Sequence, residues 1–181
     1  IVVPNGKGMG VVAADFDGSR RLSLFVANDM TANFFFTNQT TQRGSKLAFK
    51  DRAVLGGLGF NEEGHADSCM GIAAGDVNRD GLLDLFVTNF RDEANNFFLQ
   101  RKGQLFDDVA RQSRLREFGF LYEGWGTQFL DGELDGWLDI VVANGHLEIT
   151  DPSCRMPTQY FYNLGNGQFA DVPAASLGSY F

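Results

Sequence analysis

The stretch CMGIAAGDVNRDGLLDLFVTNF, residues 69–90, decides the fold. Its centre places oxygen-bearing side chains at Asp76, Asn78 and Asp80, a glycine at Gly81 and a further carboxylate at Asp84. Hard oxygen ligands at loop positions 1, 3 and 5, with glycine at 6 for a sharp turn, are a pattern that wraps Ca²⁺. Position 7, Leu82, offers a backbone carbonyl, and Asp84 at position 9 closes the shell. The helix–loop–helix calcium motif competes for this pattern. It needs a bidentate Glu at position 12, and here that position is Val87, inside the apolar run Leu85-Phe86-Val87-Thr88. A run of that length and kind suits a strand buried on both faces. The loop is therefore expected to join two strands of a sheet.

Working outward, the same pattern occurs twice more. GMGVVAADFDGSRRLSLFVAND spans residues 8–29, and GWGTQFLDGELDGWLDIVVANG spans residues 124–145. The leading acids Asp15, Asp76 and Asp131 are 61 and 55 residues apart. An aromatic segment follows each copy: Asn33-Phe34-Phe35-Phe36, Asn96-Phe97-Phe98 and Gln159-Tyr160-Phe161-Tyr162. A Phe-x-Asp segment follows that, at Phe49/Asp51, Phe106/Asp108 and Phe169/Asp171. Each unit reads as four short strands with turn residues between the third and fourth. A four-stranded sheet repeated at this period is the pattern of a propeller blade. The expected architecture is all-β: three antiparallel blades of a partial propeller, with units at residues 8–68, 69–123 and 124–181.

The third loop repeats the oxygen set at Asp131, Glu133, Asp135 and Asp139, with Gly136 at position 6 and the Trp137 carbonyl at position 7. Its position 12 is Val142, again in a strand run. Gathering these carboxylates without a cation is opposed by like-charge repulsion. The first loop departs from the pattern. Asp15 and Asp17 are present, but positions 5 and 9 are Ser19 and Ser23, and Arg20 and Arg21 lie between them. Two Ca²⁺ sites are expected, and no tightly bound ion at the first loop, where a guanidinium can stand in for it.

Composition bounds the partners. Lys+Arg is 15 against Asp+Glu 23, a net charge of −8. Such a surface repels phosphate backbones, so nucleic acid is not expected as a partner. No apolar run approaches the roughly 20 residues of a spanning helix, so no membrane insertion is expected. The chain opens on Ile1 and reads as a piece of something longer. Of the two cysteines, Cys69 aligns with Gly8 and Gly124, which favours small-residue packing, and a Cys69–Cys154 disulfide stays open. Trp125 aligns with Met9 and Met70, which suggests core. Phe34-Phe35-Phe36 reads as packing between blades. His146 reads as a turn or loop-packing residue, the sequon Asn38-Gln39-Thr40 as idle, and the tip Asn61-Glu62-Glu63-Gly64 as a solvated loop or a contact surface.

These stretches resemble the FG-GAP/VCBS repeat propellers, and more narrowly the group that includes UnbV/ASPIC-type and cartilage-acidic-protein-like proteins. The resemblance covers residues 5–175. It implies calcium at the two complete loops, a propeller of about seven blades, an extracellular, cell-surface or periplasmic setting, and a role in recognition, adhesion or assembly. The remaining blades or other subunits, and a protein or glycan ligand, are the implied partners. No reaction is implied. An enzyme acting on polysaccharide is the alternative, which needs convergent acid and base groups away from the calcium loops. A structural subunit of a larger complex is a third reading.

Overall fold

The computed structural model describes residues 5–147 and 155–178. Its strands are β1 (Gly8–Ala14), β2 (Ser23–Asn28), β3 (Phe34–Asn38), β4 (Phe49–Asp51), β5 (Ile72–Gly75), β6 (Asp84–Val87), β7 (Asn96–Arg101), β8 (Leu105–Asp108), β9 (Gly124–Leu130), β10 (Asp139–Asn144), β11 (Gln159–Asn163) and β12 (Phe169–Val172). They form three antiparallel sheets of four strands, each in sequence order. Two short helices, α1 (Ala53–Gly56) and α2 (Leu115–Gly119), follow the fourth strands of the first and second sheets. The sequence pattern gives no sign of either, because one turn of helix is too short to show a period. The chain is all-β and forms three blades of a partial propeller.

The sheets fan out from their first strands, with β1 beside β5 and β5 beside β9. Between the first two sheets, Phe25, Ala27 and Phe35 pack against Leu85, Val87 and Phe98. Between the second and third, Phe86 and Phe97 pack against Ile140, Val142 and Phe161. Strand β6 is buried throughout because both faces of its sheet are covered. That explains its unbroken apolar run. Phe35 belongs to this inter-blade core. Phe34 and Phe36 lie on the opposite face of β3, half-buried, with ring centroids 5.3 Å apart.

A glycine fixes how closely the first strands approach. A Cβ on Gly10 would overlap the Met70 carbonyl, and one on Gly71 would overlap the Trp125 carbonyl. Gly126 occupies the same place in the third blade, where the nearest atom to such a Cβ is that of Ala143 at 4.0 Å.

Met9 and Trp125 depart from the core reading. Met70 is buried, but Met9 is exposed and Trp125 is half-buried. The three line one groove with Phe90 and Leu147. Cys69 is a buried thiol, pushed up to about 12 by burial. Cys154 and the proposed pairing lie outside the described residues.

Candidate functional site

The three acidic loops join the first and second strands of their blades, and they share one backbone. Positions 4 and 6 are left-handed in each: Gly18 and Arg20 (φ 71° and 63°), Arg79 and Gly81 (62° and 84°), Leu134 and Gly136 (63° and 87°). The position-1 carboxylate holds this shape. Asp76 accepts the N–H groups of Asp80 and Gly81 at 3.0 and 2.9 Å. Asp131 accepts those of Asp135 and Gly136, both at 3.0 Å, and Asp15 those of Ser19 and Arg20 at 3.1 and 2.7 Å. Position 7 then donates its N–H to the position-5 side chain: Leu82 to Asp80, Trp137 to Asp135 and Arg21 to Ser19. Those that end on a carboxylate are charge-assisted, and together the bonds offset the left-handed residues, which cost about 1 kcal/mol each where there is a Cβ.

Position 9 points inward. Asp84 and Asp139 are wholly buried. Asp84 accepts N–H bonds from Val77 (3.1 Å) and Gln100 (2.9 Å). Asp139 accepts them from Gly132 (3.4 Å) and Asn163 (2.8 Å), and takes the Tyr160 hydroxyl as well. Ser23 does the same work in the first blade, accepting the Asn38 N–H at 3.1 Å. Burial first, and then the neighbouring Asp80 and Asp76, push the Asp84 carboxyl up to about 6. Glu133 at position 3 is also raised, by desolvation first and then by its contact with Asp139.

The residues fit a hard divalent cation in donor type and in backbone shape. A buried carboxylate is normally paired or bound to metal, and no basic side chain pairs with Asp84 or Asp139 among the described residues. The side chains themselves are turned to the loops' own N–H groups. As they stand, no three acidic, His or Cys groups gather as a metal cluster among the described residues. The first loop is different. The Arg21 guanidinium donates to Ser19 Oγ at 3.2 Å and to the Thr40 carbonyl at 3.0 Å. The Asp17 carboxyl is lowered, chiefly by its bond with Ser19, with Arg21 contributing charge.

A second polar cluster escapes the sequence pattern. A cavity of about 250 Å³ lies between the 61–67 loop and the second blade, lined by Asp67, Glu93, Asn96, Asp108 and Arg116 among others. One amide nitrogen, Asn96 Nδ2, donates to Asp67 at 3.2 Å and to Asp108 at 3.0 Å. Burial is the main cause of the rise at both carboxyls, and it takes Asp67 up to about 6. Asp108 is the Phe-x-Asp residue of its blade. Its Oδ1 also accepts the Phe97 and Ala110 N–H groups, as Asp51 accepts those of Phe35 and Ala53. The landmark is thus structural first. The acidic tip is folded down rather than free: Arg111 and Arg116 both reach Glu62 at 2.9 Å and also pair with Glu63.

Asp67 gives a pH test. Its folded value lies above its ordinary 3.8, so the native state holds the proton longer than the unfolded chain does. Stability on this account falls as pH rises from about 4 to about 6 and is level above that. Asp67→Asn should gain stability relative to wild type across the same window, by about 1 kcal/mol after solvent screening is discounted. Melting curves of both proteins between pH 4 and 7.5 check it.

His146 packs in its loop beside a buried acid. Its Nε2 lies 3.4 Å from Oε1 of Glu123, whose side chain is 0 % exposed. Asn38 donates its side-chain amide to the Leu22 carbonyl at 3.0 Å.

No helix among the described residues is long and apolar enough to cross a membrane. A search of curated proteins finds no match to the chain. Residues 76–142, which run from the first position of the second loop through the third loop into β10, match the family model described as an FG-GAP-like repeat, and the chain carries a repeat of that type there.

Proposed function

We propose that the chain is a non-enzymatic, calcium-stabilised propeller segment that serves recognition, adhesion or assembly outside the cytoplasm. The observation that carries this is the shared frame of the three acidic loops, two of which carry the full oxygen set along the chain and end on a buried carboxylate that no basic side chain pairs among the described residues. Calcium modules of extracellular proteins bind at about 10⁻⁴ to 10⁻³ M. At roughly 1 mM Ca²⁺ and a 0.1 mM dissociation constant, each site adds about 1.4 kcal/mol. Sites of this strength stay empty in a low-calcium cytosol, which supports an extracellular, surface or periplasmic setting. A finer kinship with UnbV/ASPIC-type and cartilage-acidic-protein-like proteins rests on the order of the landmarks alone.

The partners follow from the two outer faces. Gly126 keeps the space that Gly10 and Gly71 use to admit the next blade's backbone. On the outer face of the first sheet, Val11 is exposed beside half-buried Val26 and Phe34. Further blades or another subunit fit these faces, and a protein or glycan ligand would be held by the loops displayed on this frame. Equilibrium dialysis tests the calcium reading: two ions per chain are expected, and Asp15→Ala should leave that number unchanged. A stoichiometry of zero, or of three falling to two in the variant, would contradict it.

The Asp67–Asp108 pair favours a second reading, acid–base cleavage of a polysaccharide. Two carboxyls raised by burial in one cavity away from the calcium loops are the kind of pair such chemistry uses. Calcium-independent release of reducing ends from a polysaccharide, abolished by Asp67→Asn, would establish it over the first.

A further inference from the structure

We propose that the second and third acidic loops bind their ions as a coupled pair, linked by Asn163 and Arg79, while the first loop stands outside the pair. This rests on the calcium reading above. Asn163 touches both loops. Its Nδ2 donates to the Val77 carbonyl, position 2 of the second loop, at 3.2 Å, and to the Leu138 carbonyl, position 8 of the third, at 3.0 Å. Its backbone N–H holds the position-9 carboxylate of the third loop, Asp139. Val77 in turn gives its own N–H to Asp84, the position-9 carboxylate of the second loop. An unbroken chain of bonds therefore runs from Asp84 through Val77 and Asn163 to Asp139.

A second link lies nearer solvent. Arg79, at position 4 of the second loop, sets its guanidinium 5.2 Å from the centre of the Trp137 ring. Trp137 supplies the position-7 carbonyl of the third loop. Among the described residues the first loop has one link to the second, through Gln100, whose N–H holds Asp84, and lacks the others. Gln100, in the place of Asn163, reaches the Phe16 carbonyl at 2.7 Å, but its Oε1 is buried without a hydrogen-bond partner. Position 4 of that loop is Gly18, which has no side chain to send across.

The sign of the coupling follows from ordering. An ion in either loop fixes the same peptide at Val77 and the same amide at Asn163, so the second ion meets a frame already ordered. Repulsion between the two ions is reduced by the carboxylates around each and by salt. Positive coupling of about five-fold is expected, at the lower end of typical allosteric factors.

Calorimetric Ca²⁺ titration tests it on wild type, Asp80→Asn and Asp135→Asn, each silencing one loop. Each single-loop variant should bind its remaining ion about five-fold more weakly than wild type does. Asn163→Ala should remove the coupling, and Asn163→Gln, the residue type that reaches a single loop carbonyl at position 100, should not restore it in full. Arg79→Ala, a change at an exposed residue, should reduce it without unfolding the chain. Trp137 fluorescence should change when the third loop fills. A remaining site of unchanged affinity in each single-loop variant would overturn the coupling and leave the calcium reading standing. No calcium bound by wild type at millimolar concentration would overturn both.

Discussion

Gly71→Ala is expected to unfold the contact between the second and third blades, lowering stability by about 3 kcal/mol or more. The added methyl would overlap the Trp125 carbonyl oxygen and press on Thr88 Oγ1 at 2.9 Å. That hydroxyl is already committed: it accepts the Gly71 N–H and donates to the Trp125 carbonyl, both at 2.8 Å. The obstacle is backbone on a neighbouring strand, so no rotamer change relieves it. Either β5 and β9 separate or the inner strand bends, and both expose the core around Phe86 and Ile140. Gly126→Ala is the control. Its Cβ would stand 4.0 Å from the nearest atom, so its stability should change by less than about 0.5 kcal/mol. Urea denaturation of both variants reads the difference. Equal effects would mean that the inner glycines do not set the spacing of the blades.

His146→Ala is expected to cost about 1–3 kcal/mol, because it removes the ring nitrogen that faces the buried Glu123 carboxylate at 3.4 Å. Glu123 anchors the end of the third blade's second strand. Its Oε2 accepts the Leu147 N–H at 3.1 Å and its carbonyl accepts that of Gly145 at 3.1 Å. Adding Glu123→Gln to His146→Ala should recover much of the loss, since a neutral amide needs no counter-charge and keeps an acceptor for Leu147. Thermal melts of the two single variants and the double variant check this. Additive losses would show that His146 acts by packing rather than by facing the carboxylate.

How far the sequence alone reaches can be judged from particular residues. The four strands of each blade were legible because two independent patterns agree, the unbroken apolar run at Leu85–Val87 and the loop oxygens ahead of it. The loop frame was legible at Gly81 and Gly136, where glycine marks a left-handed turn. It was hidden at Arg20, which adopts the same turn with a Cβ because the Asp15 carboxylate holds its N–H. The inward turn of Asp84 and Asp139 was also hidden. Ligand spacing says which residues face one loop, but not that strand β7 or β11 will present an N–H to the last of them. The meeting of Asp67 with Asp108 had no signal, although Asp108 itself stands in the Phe-x-Asp landmark. The two acids come from different blades of the repeat, joined only by the way the 61–67 loop folds over the second sheet. Trp125 misled because alignment gives equivalence of position, whereas burial depends on what lies beyond the strand.

Thermal melting in 1 mM Ca²⁺ and in EGTA asks whether divalent ions hold the second and third turns in place. Two sites of about 1.4 kcal/mol each should raise the midpoint by about 8 °C in calcium, and Asp80→Asn with Asp135→Asn should abolish the rise. A midpoint that stays the same in chelator would contradict it.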